Sequence, residues 1–156
     1  MRVAEAVRLA DRYPAHVAGS LREFLASPDA LAAWVAERDG EIVGHVALHR
    51  RSSDAVTALA SRCLGQPADR LGVVARLFVD PAARGLGLGR LLLTTATQEA
   101  LARELWPILD TLAAHDAAVR LYERCGWVRV GLVTTTLRDG FELEEIVFLG
   151  PRGSST

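Results

Sequence analysis

The sequence predicts a single α/β domain built on one mixed sheet of about six or seven strands, parallel at the centre and flanked by hairpins. Three observations carry that expectation. Val73 to Val79 is an apolar run broken only by Arg76, as a strand in the middle of a sheet requires. A glycine-rich loop, a helical stretch and a second apolar strand follow it, which is the order of a parallel crossover. Asp39-Gly40 and Asp139-Gly140 each separate two strand-like stretches, the composition of a tight hairpin turn.

In chain order, Val3 to Leu9 reads as a short strand and Ser20 to Leu25 as a short helix closed by Ser27-Pro28-Asp29. Between them Asp11-Arg12-Tyr13-Pro14 is a loop, because Pro14 disfavours helix at Tyr13. Ala33 to Glu37 and Ile42 to Leu48 are the strands of the first hairpin. A short helix spans Asp54 to Cys63, and Gly65-Gln66-Pro67 closes it. After the central strand, Asp80-Pro81 stops the run. The helix from about Leu88 to Arg103 turns Leu88, Leu91, Leu92, Thr95 and Ala96 onto one face. Pro107 to Leu112 is the next strand. Asp116 stands where an N-cap belongs for a helix ending at Cys125, with Ala118, Leu121, Tyr122 and Cys125 facing inward and Gly126 as its stop. Val128 to Leu137 and Phe141 to Leu149 make the last hairpin. Residues 1–149 thus form the domain, and Gly150 to Thr156 is a flexible tail with almost nothing to bury.

Composition narrows the function classes. The 156 residues are half hydrophobic and 24% charged, ordinary for a globular protein of a size that needs no disulfide or metal staple. Eighteen basic residues against 19 acidic ones leave a net charge of −1, so there is no electrostatic footprint for nucleic acid. All the basic residues are Arg. With no Lys in the sequence, Schiff-base chemistry and a phosphate-loop lysine are excluded. Cys63 and Cys125 are far apart, and the four His show no ligand spacing, so no metal site is expected and a reduced, cytoplasmic setting is. Met1 to Ala10 lacks the hydrophobic core of a signal peptide, and no apolar run reaches the ~18 residues that span a bilayer.

Arg84-Gly85-Leu86-Gly87-Leu88-Gly89-Arg90 runs from the central strand into a helix. Unpaired amides and the positive end of the helix dipole converge there, so the loop suits an anion, with Arg84 and Arg90 beside it. The dinucleotide fingerprint Gly-x-Gly-x-x-Gly fails, because Arg90 stands where its last glycine belongs. Arg-x-x-Gly-x-Gly does fit, at Arg84, Gly87 and Gly89, behind Val79-Asp80-Pro81. Some thirty residues on, after one strand, comes Ala118-x-x-Leu121-Tyr122-x-x-x-Gly126-Trp127. The two motifs together, in this order and at this separation, resemble the GNAT superfamily of acetyl-coenzyme-A-dependent N-acetyltransferases. The resemblance covers Ala33 to Leu149; residues 1–30, on the acceptor side of that fold, match poorly.

That resemblance implies a sheet splayed at its centre, between Val73–Val79 and Pro107–Leu112, with helices on both faces. It implies that acetyl-CoA is the co-substrate and that its pantetheine arm lies in the opening. Backbone groups of Leu77 and Val79 would pair with that arm, and the amide of Phe78 or Val79 would bind the thioester carbonyl as an oxyanion site. Backbone of Arg84, Gly85, Leu86, Gly87, Leu88, Gly89 and Arg90 would hold the diphosphate. Ala118 would line the same site, and Tyr122 would protonate the departing thiolate. The implied reaction is direct attack by a primary amine of a small molecule or peptide, so neither cysteine needs a role. The family also implies a homodimer, with the last strands as candidate contact.

Two positions depart from the family. His115 stands where Asn commonly begins the second motif; it offers one hydrogen bond to pantetheine or water, and is a candidate base or a solvent-facing helix start. The carboxylate many relatives carry on the central strand is Ala75 here, followed by Arg76. Deprotonation of the amine then falls to water, His115, Asp110, His45 or His49. The same gap leaves open a non-catalytic acyl-CoA-binding module on this fold. Tyr122 and Cys125 also read as packing residues at helical spacing, His45 and His49 as the polar side of a hairpin, and Glu142, Glu144 and Glu145 as a solvated face or an attractor of cationic amines.

Overall fold

The computed structural model describes residues 28–152 and the backbone of residues 5–9. Seven strands hydrogen-bond in the order β1-β2-β3-β4-β5-β7-β6, where β1 is Glu5–Leu9, β2 Ala30–Arg38, β3 Glu41–His49, β4 Leu71–Val79, β5 Trp106–Leu112, β6 Val128–Thr136 and β7 Glu142–Leu149. Three helices accompany them: α1 Asp54–Leu64, α2 Leu88–Ala102 and α3 Asp116–Arg124. The mixed α/β sheet expected from the sequence is the one observed. The expected strand over Val3 to Leu9 falls on β1; the expected loop at Asp11 to Pro14 and the helix at Ser20 to Leu25 lie outside the described residues. Among the described residues no helix is long and apolar enough to cross a membrane.

The chain divides into two compact units, the first of residues 1–49 and 74–99, the second of residues 50–73 and 100–156. In the first, β1 and β3 flank β2, both antiparallel to it. The β2–β3 connection is the expected hairpin. Asp39 and Gly40 both take positive φ, 52° and 80°, as the turn whose twist matches its strands demands. Val35, Ala36, Val46, Ala47 and Leu48 are almost wholly buried, so β3 is covered on both faces and β2 largely so.

α2 buries Leu88, Leu92, Leu93, Ala96, Thr97 and Ala100, and leaves Leu91 47% exposed. The expected face, which included Leu91 and Thr95, is therefore turned by about one residue. Leu91, Leu92 and Leu93 are consecutive, so spacing alone leaves the helix phase undetermined and packing decides it. Gly44 of β3 is the reason the helix can lie so close. A Cβ there would stand 2.9 Å from Leu92 Cδ1 and 3.2 Å from the Phe78 carbonyl oxygen.

In the second unit, β4 contributes Leu71–Val73, paired in parallel with Trp106–Ile108. The ladder covers those three registers of a nine-residue and a seven-residue strand. β7 pairs antiparallel with both β5 and β6. Gly131 shares a face with its partner Val147, and a Cβ on it would lie 2.8 Å from Leu59 of α1. Phe148, next along β7, carries the ring of Tyr122 from α3 on the opposite face. Helices thus cover both faces of β5-β7-β6.

Ser53 caps α1 by accepting from the Val56 amide at 3.3 Å, and Gly65 ends it with φ 64°. α3 departs from expectation at its start. His115, not Asp116, holds the cap position, its carbonyl accepting from the Val119 amide at 3.0 Å. Asp116 is the first helical residue, where its charge meets the positive end of the dipole. Of the tail expected over Gly150 to Thr156, Gly150 donates to the Pro107 carbonyl at 2.8 Å and the Arg152 guanidinium lies 3.4 Å over the Trp106 ring. Residues 153–156 lie outside the described residues.

Candidate active site

In the first unit, the end of β4 leads into an anion cradle. Leu77, Phe78 and Val79 are half-buried. The Asp80 amide donates to the Val43 carbonyl at 2.7 Å, and the Asp80 carboxylate accepts from the Ala82 amide at 2.9 Å, which fixes the direction in which the chain leaves the strand. Pro81–Ala83 is a single tight turn, and the chain then enters the glycines. Gly85 and Gly87 take φ of 85° and 77°, a region that L side chains rarely enter. Among the described residues nothing lies within 4 Å of where a Cβ would stand on either, so no described side chain plugs the turn.

The Leu91 amide donates to the Gly87 carbonyl at 3.0 Å and closes the first turn of α2. The amides of Leu88, Gly89 and Arg90 precede that bond and have no helical acceptor. Those of Gly85, Leu86 and Gly87 donate to no backbone carbonyl among the described residues. Arg84, Leu86 and Arg90 are exposed, and Gly89 is half-exposed. Leu88 is buried and anchors the first turn of α2. The segment from Arg84 to Arg90 thus offers free donors, open space and two flanking guanidinium groups at a helix N-terminus, an arrangement suited to a diphosphate.

The same unit holds His45 and His49, and neither lies on a solvated side of a hairpin: both are buried in β3. Alternation cannot separate a polar face from a buried one when both faces of a strand are covered. Arg76 interrupts regular β geometry with φ of 55°, a conformation that costs an L residue about 1–2 kcal/mol. His45 Nδ1 donates to the Arg76 carbonyl oxygen at 2.8 Å. Burial lowers the pKa of both imidazoles, with the Arg76 charge acting in the same direction, so both are neutral at pH 7. Among the described residues, His49 Nε2 is buried without a hydrogen-bond partner.

The second unit carries the titratable chemistry. Tyr122 on α3 is 8% exposed, its ring tilted against Trp127 and Phe148 with centroids 6.4 and 5.6 Å away. Burial, and then the charge of Asp110, push its phenol up to about 12. Asp110 on β5 accepts from Ser52 Oγ at 2.9 Å, and Glu145 of β7 lies diagonally from it across the β5–β7 ladder. Burial pushes its carboxyl up to about 7; the neighbouring Glu145 adds to that, and the Ser52 bond opposes it. Thr135 Oγ1 donates to Glu145 Oε1 at 2.8 Å. His115 is exposed at the start of α3, Ala118 is half-buried one turn before Tyr122, and Cys125 is half-buried just beyond the helix.

Glu145 corrects the expectation of a wholly solvated acidic stretch. Glu142 and Glu144 are exposed on one side of β7, while Glu145 alternates with Leu143 and the buried Val147. Ser52 and Thr135, which fix the two carboxyl groups, escaped the sequence reading altogether. A Glu in phase with the apolar side of a strand was the available signal.

Comparison with known proteins identifies a family and a shared fold. A family model described as Acetyltransferase (GNAT) family matches residues 4–127. The mycothiol acetyltransferase of Acidothermus cellulolyticus is 37% identical over 108 residues, which cover 69% of this chain and 33% of that protein. The chain therefore spans about a third of the length of that curated relative. Among solved structures, the ribosomal-protein-S18-alanine N-acetyltransferase of Escherichia coli shares the fold with a TM-score of 0.61 at 16% identity, over 97% of each chain. The yncA protein of Salmonella typhimurium, solved with its cofactor acetyl-CoA, shares it with a TM-score of 0.60 at 19% identity, over 88% of this chain and 71% of that one.

Proposed function

Because the chain belongs to the acetyltransferase (GNAT) family, we propose that it moves an acetyl group from acetyl-CoA to a primary amine of a small molecule or peptide. The observation that carries this reading is the open glycine turn, with positive φ at Gly85 and Gly87, empty space over both and free amides leading into α2. The residues present fit the co-substrate. Backbone of Arg84, Gly85, Leu86, Gly87, Leu88, Gly89 and Arg90 holds the diphosphate, with the Arg84 and Arg90 side chains adding charge. Backbone of Leu77 and Val79 pairs with the pantetheine amides, and the amide of Phe78 or Val79 binds the thioester oxygen, where negative charge develops. Ala118 and His115 complete the carrier's surroundings, Ala118 by being small and His115 through one hydrogen bond.

On this reading Asp110 fills the role left open by Ala75. It takes a proton from the substrate ammonium; the freed amine attacks the thioester carbonyl, the C–N bond forms, the C–S bond breaks, and the thiolate leaves. A base with a pKa of about 7 is both ionised and usefully basic near neutral pH. Tyr122 supports the leaving sulfur as general acid. Its phenol, up at about 12, stays protonated throughout the working range. Proton uptake by Asp110 also removes the nearby charge that helps hold Tyr122 up, so the acid strengthens in the turnover that needs it. His45 and His49 serve less well as bases, since burial disfavours the charge each would acquire.

The deciding experiment is thiol release from acetyl-CoA against polyamines, aminoglycosides, amino acids and N-terminal peptides. Release with at least one amine class, together with the acetylated product by mass, is expected. Thermal stabilisation by acetyl-CoA without transfer to any of them would make the chain an acyl-CoA-binding module instead. We also propose that β6, last in the strand order and carrying Val128 at 60% and Leu132 at 50% exposure, is the contact with a second copy. Sedimentation should show a dimer that Leu132→Arg converts to monomer.

A further inference from the structure

Asp110 and Glu145 stand beside one another on one face of the β5–β7 ladder, and that has a consequence for where a proton resides. An ionised carboxylate only accepts hydrogen bonds, so two carboxyl groups can bond to one another only if one of them carries a proton. The two lie on neighbouring strands. Asp110 is opposite Val147 in the β5–β7 ladder, and Glu145 is opposite Leu112, so the two acids are diagonal neighbours on one face. Each also accepts a hydrogen bond from a hydroxyl: Ser52 donates to Asp110, and Thr135, diagonal to Glu145 across the β6–β7 ladder, donates to Glu145.

We propose that Glu145 is a positioning residue for amine deprotonation: sharing one proton with Asp110 across the β5–β7 ladder, it makes Asp110 a stronger base than an isolated carboxylate would be. The proposal rests on the acetyl-transfer reading. Above the upper titration of the pair both acids are ionised, and mutual repulsion raises the affinity of Asp110 for the proton it receives. Below it the pair holds one proton and is a poor acceptor for a second. The groups facing Asp110 are Glu145 from β7 and the Ser52 hydroxyl ahead of α1; Tyr122 packs on Phe148, on the other face of the sheet. Asp54 and Arg62 of α1 and Glu142 and Glu144 of β7 are exposed.

The test compares Glu145→Gln, which keeps the shape but removes the second acid, with Glu144→Gln, the same charge change at an exposed neighbour. Two readouts are taken on the full chain: the pH profile of kcat/KM with one fixed amine, and the Asp110 carboxyl carbon followed by NMR titration. In E145Q the Asp110 midpoint and the acid limb of kcat/KM should both fall by about one pH unit or more, while the high-pH plateau drops about threefold to tenfold. E144Q should leave both in place. An unmoved midpoint in E145Q, or a moved midpoint with an unmoved acid limb, overturns the proposal. If the wild-type chain transfers no acetyl group to any amine while E145Q still displaces the midpoint, the acetyl-transfer reading fails and the proton-sharing pair stands.

Discussion

On the proposed reading, the working groups in the turn from Arg84 to Arg90 are main-chain amides, offered by consecutive residues. At Asp110, Glu145 and Tyr122 they are side chains, drawn from two strands and a helix and held by Ser52 and Thr135. The first site depends on backbone angles that only glycine adopts readily, so it is sensitive to what is added at two positions. The second depends on polar atoms at fixed distances, so it is sensitive to what is removed. Binding and proton transfer can thus be damaged separately, and mutations of each kind should give distinct kinetic signatures.

The largest effect is expected at Asp110. Asp110→Asn removes the base, and kcat/KM should fall about 1,000-fold at pH 7.5 while the Kd of acetyl-CoA, from calorimetry, holds within about threefold. A loss confined to Kd would break the distinction between the two regions. Tyr122→Phe follows, with kcat lowered about 100-fold in steady-state assays and acetyl-CoA affinity little changed. Unchanged turnover would return Tyr122 to a packing role against Trp127 and Phe148. Gly87→Val should act in the opposite sense. Forcing a β-branched residue to φ of 77° costs about 2 kcal/mol, hence about 30-fold in Kd for acetyl-CoA, with kcat at saturation largely kept. Arg84→Ala, which leaves the backbone donors in place, should cost only about threefold and should flatten the salt dependence of binding.

The smallest expected effect is on stability. Asp110 binds its proton more tightly folded, at about 7, than unfolded, at its ordinary 3.8. The folded state therefore holds more protons between those values, and this group's contribution to stability falls as pH rises from about 4 to 7. Asn at 110 has no such penalty. Its Tm should exceed that of the wild type by about 4 °C at pH 8, and the gap should close by pH 4. A gap independent of pH would mean that Asp110 is not the group titrating.

The difference between the two regions also explains what the sequence could disclose. The cradle is contiguous, and glycines spaced between a buried strand and an amphipathic helix announce it. The carboxyl pair joins residues 35 apart through the β5–β7 register, which no local pattern encodes. Hairpins were legible because Asp-Gly turns are local chemistry. The phase of α2 was not, because three consecutive leucines satisfy two helical faces equally. His45 and His49 were ambiguous for a similar reason: β3 is buried from Val43 to His49, and burial on both faces erases the alternation that tells inside from outside.

Gly44 carries no side chain, yet it sets how closely the helix behind the cradle packs on β3. Its missing methyl lets Leu92 settle against the strand, and Leu92 lies one turn inside the helix whose free end presents the amides. Even alanine at this place would have to displace the Leu92 side chain and crowd the Phe78 carbonyl beside it. On the proposed reading, the grip on a diphosphate would then respond to a change made in the interior, well away from the rim of the turn.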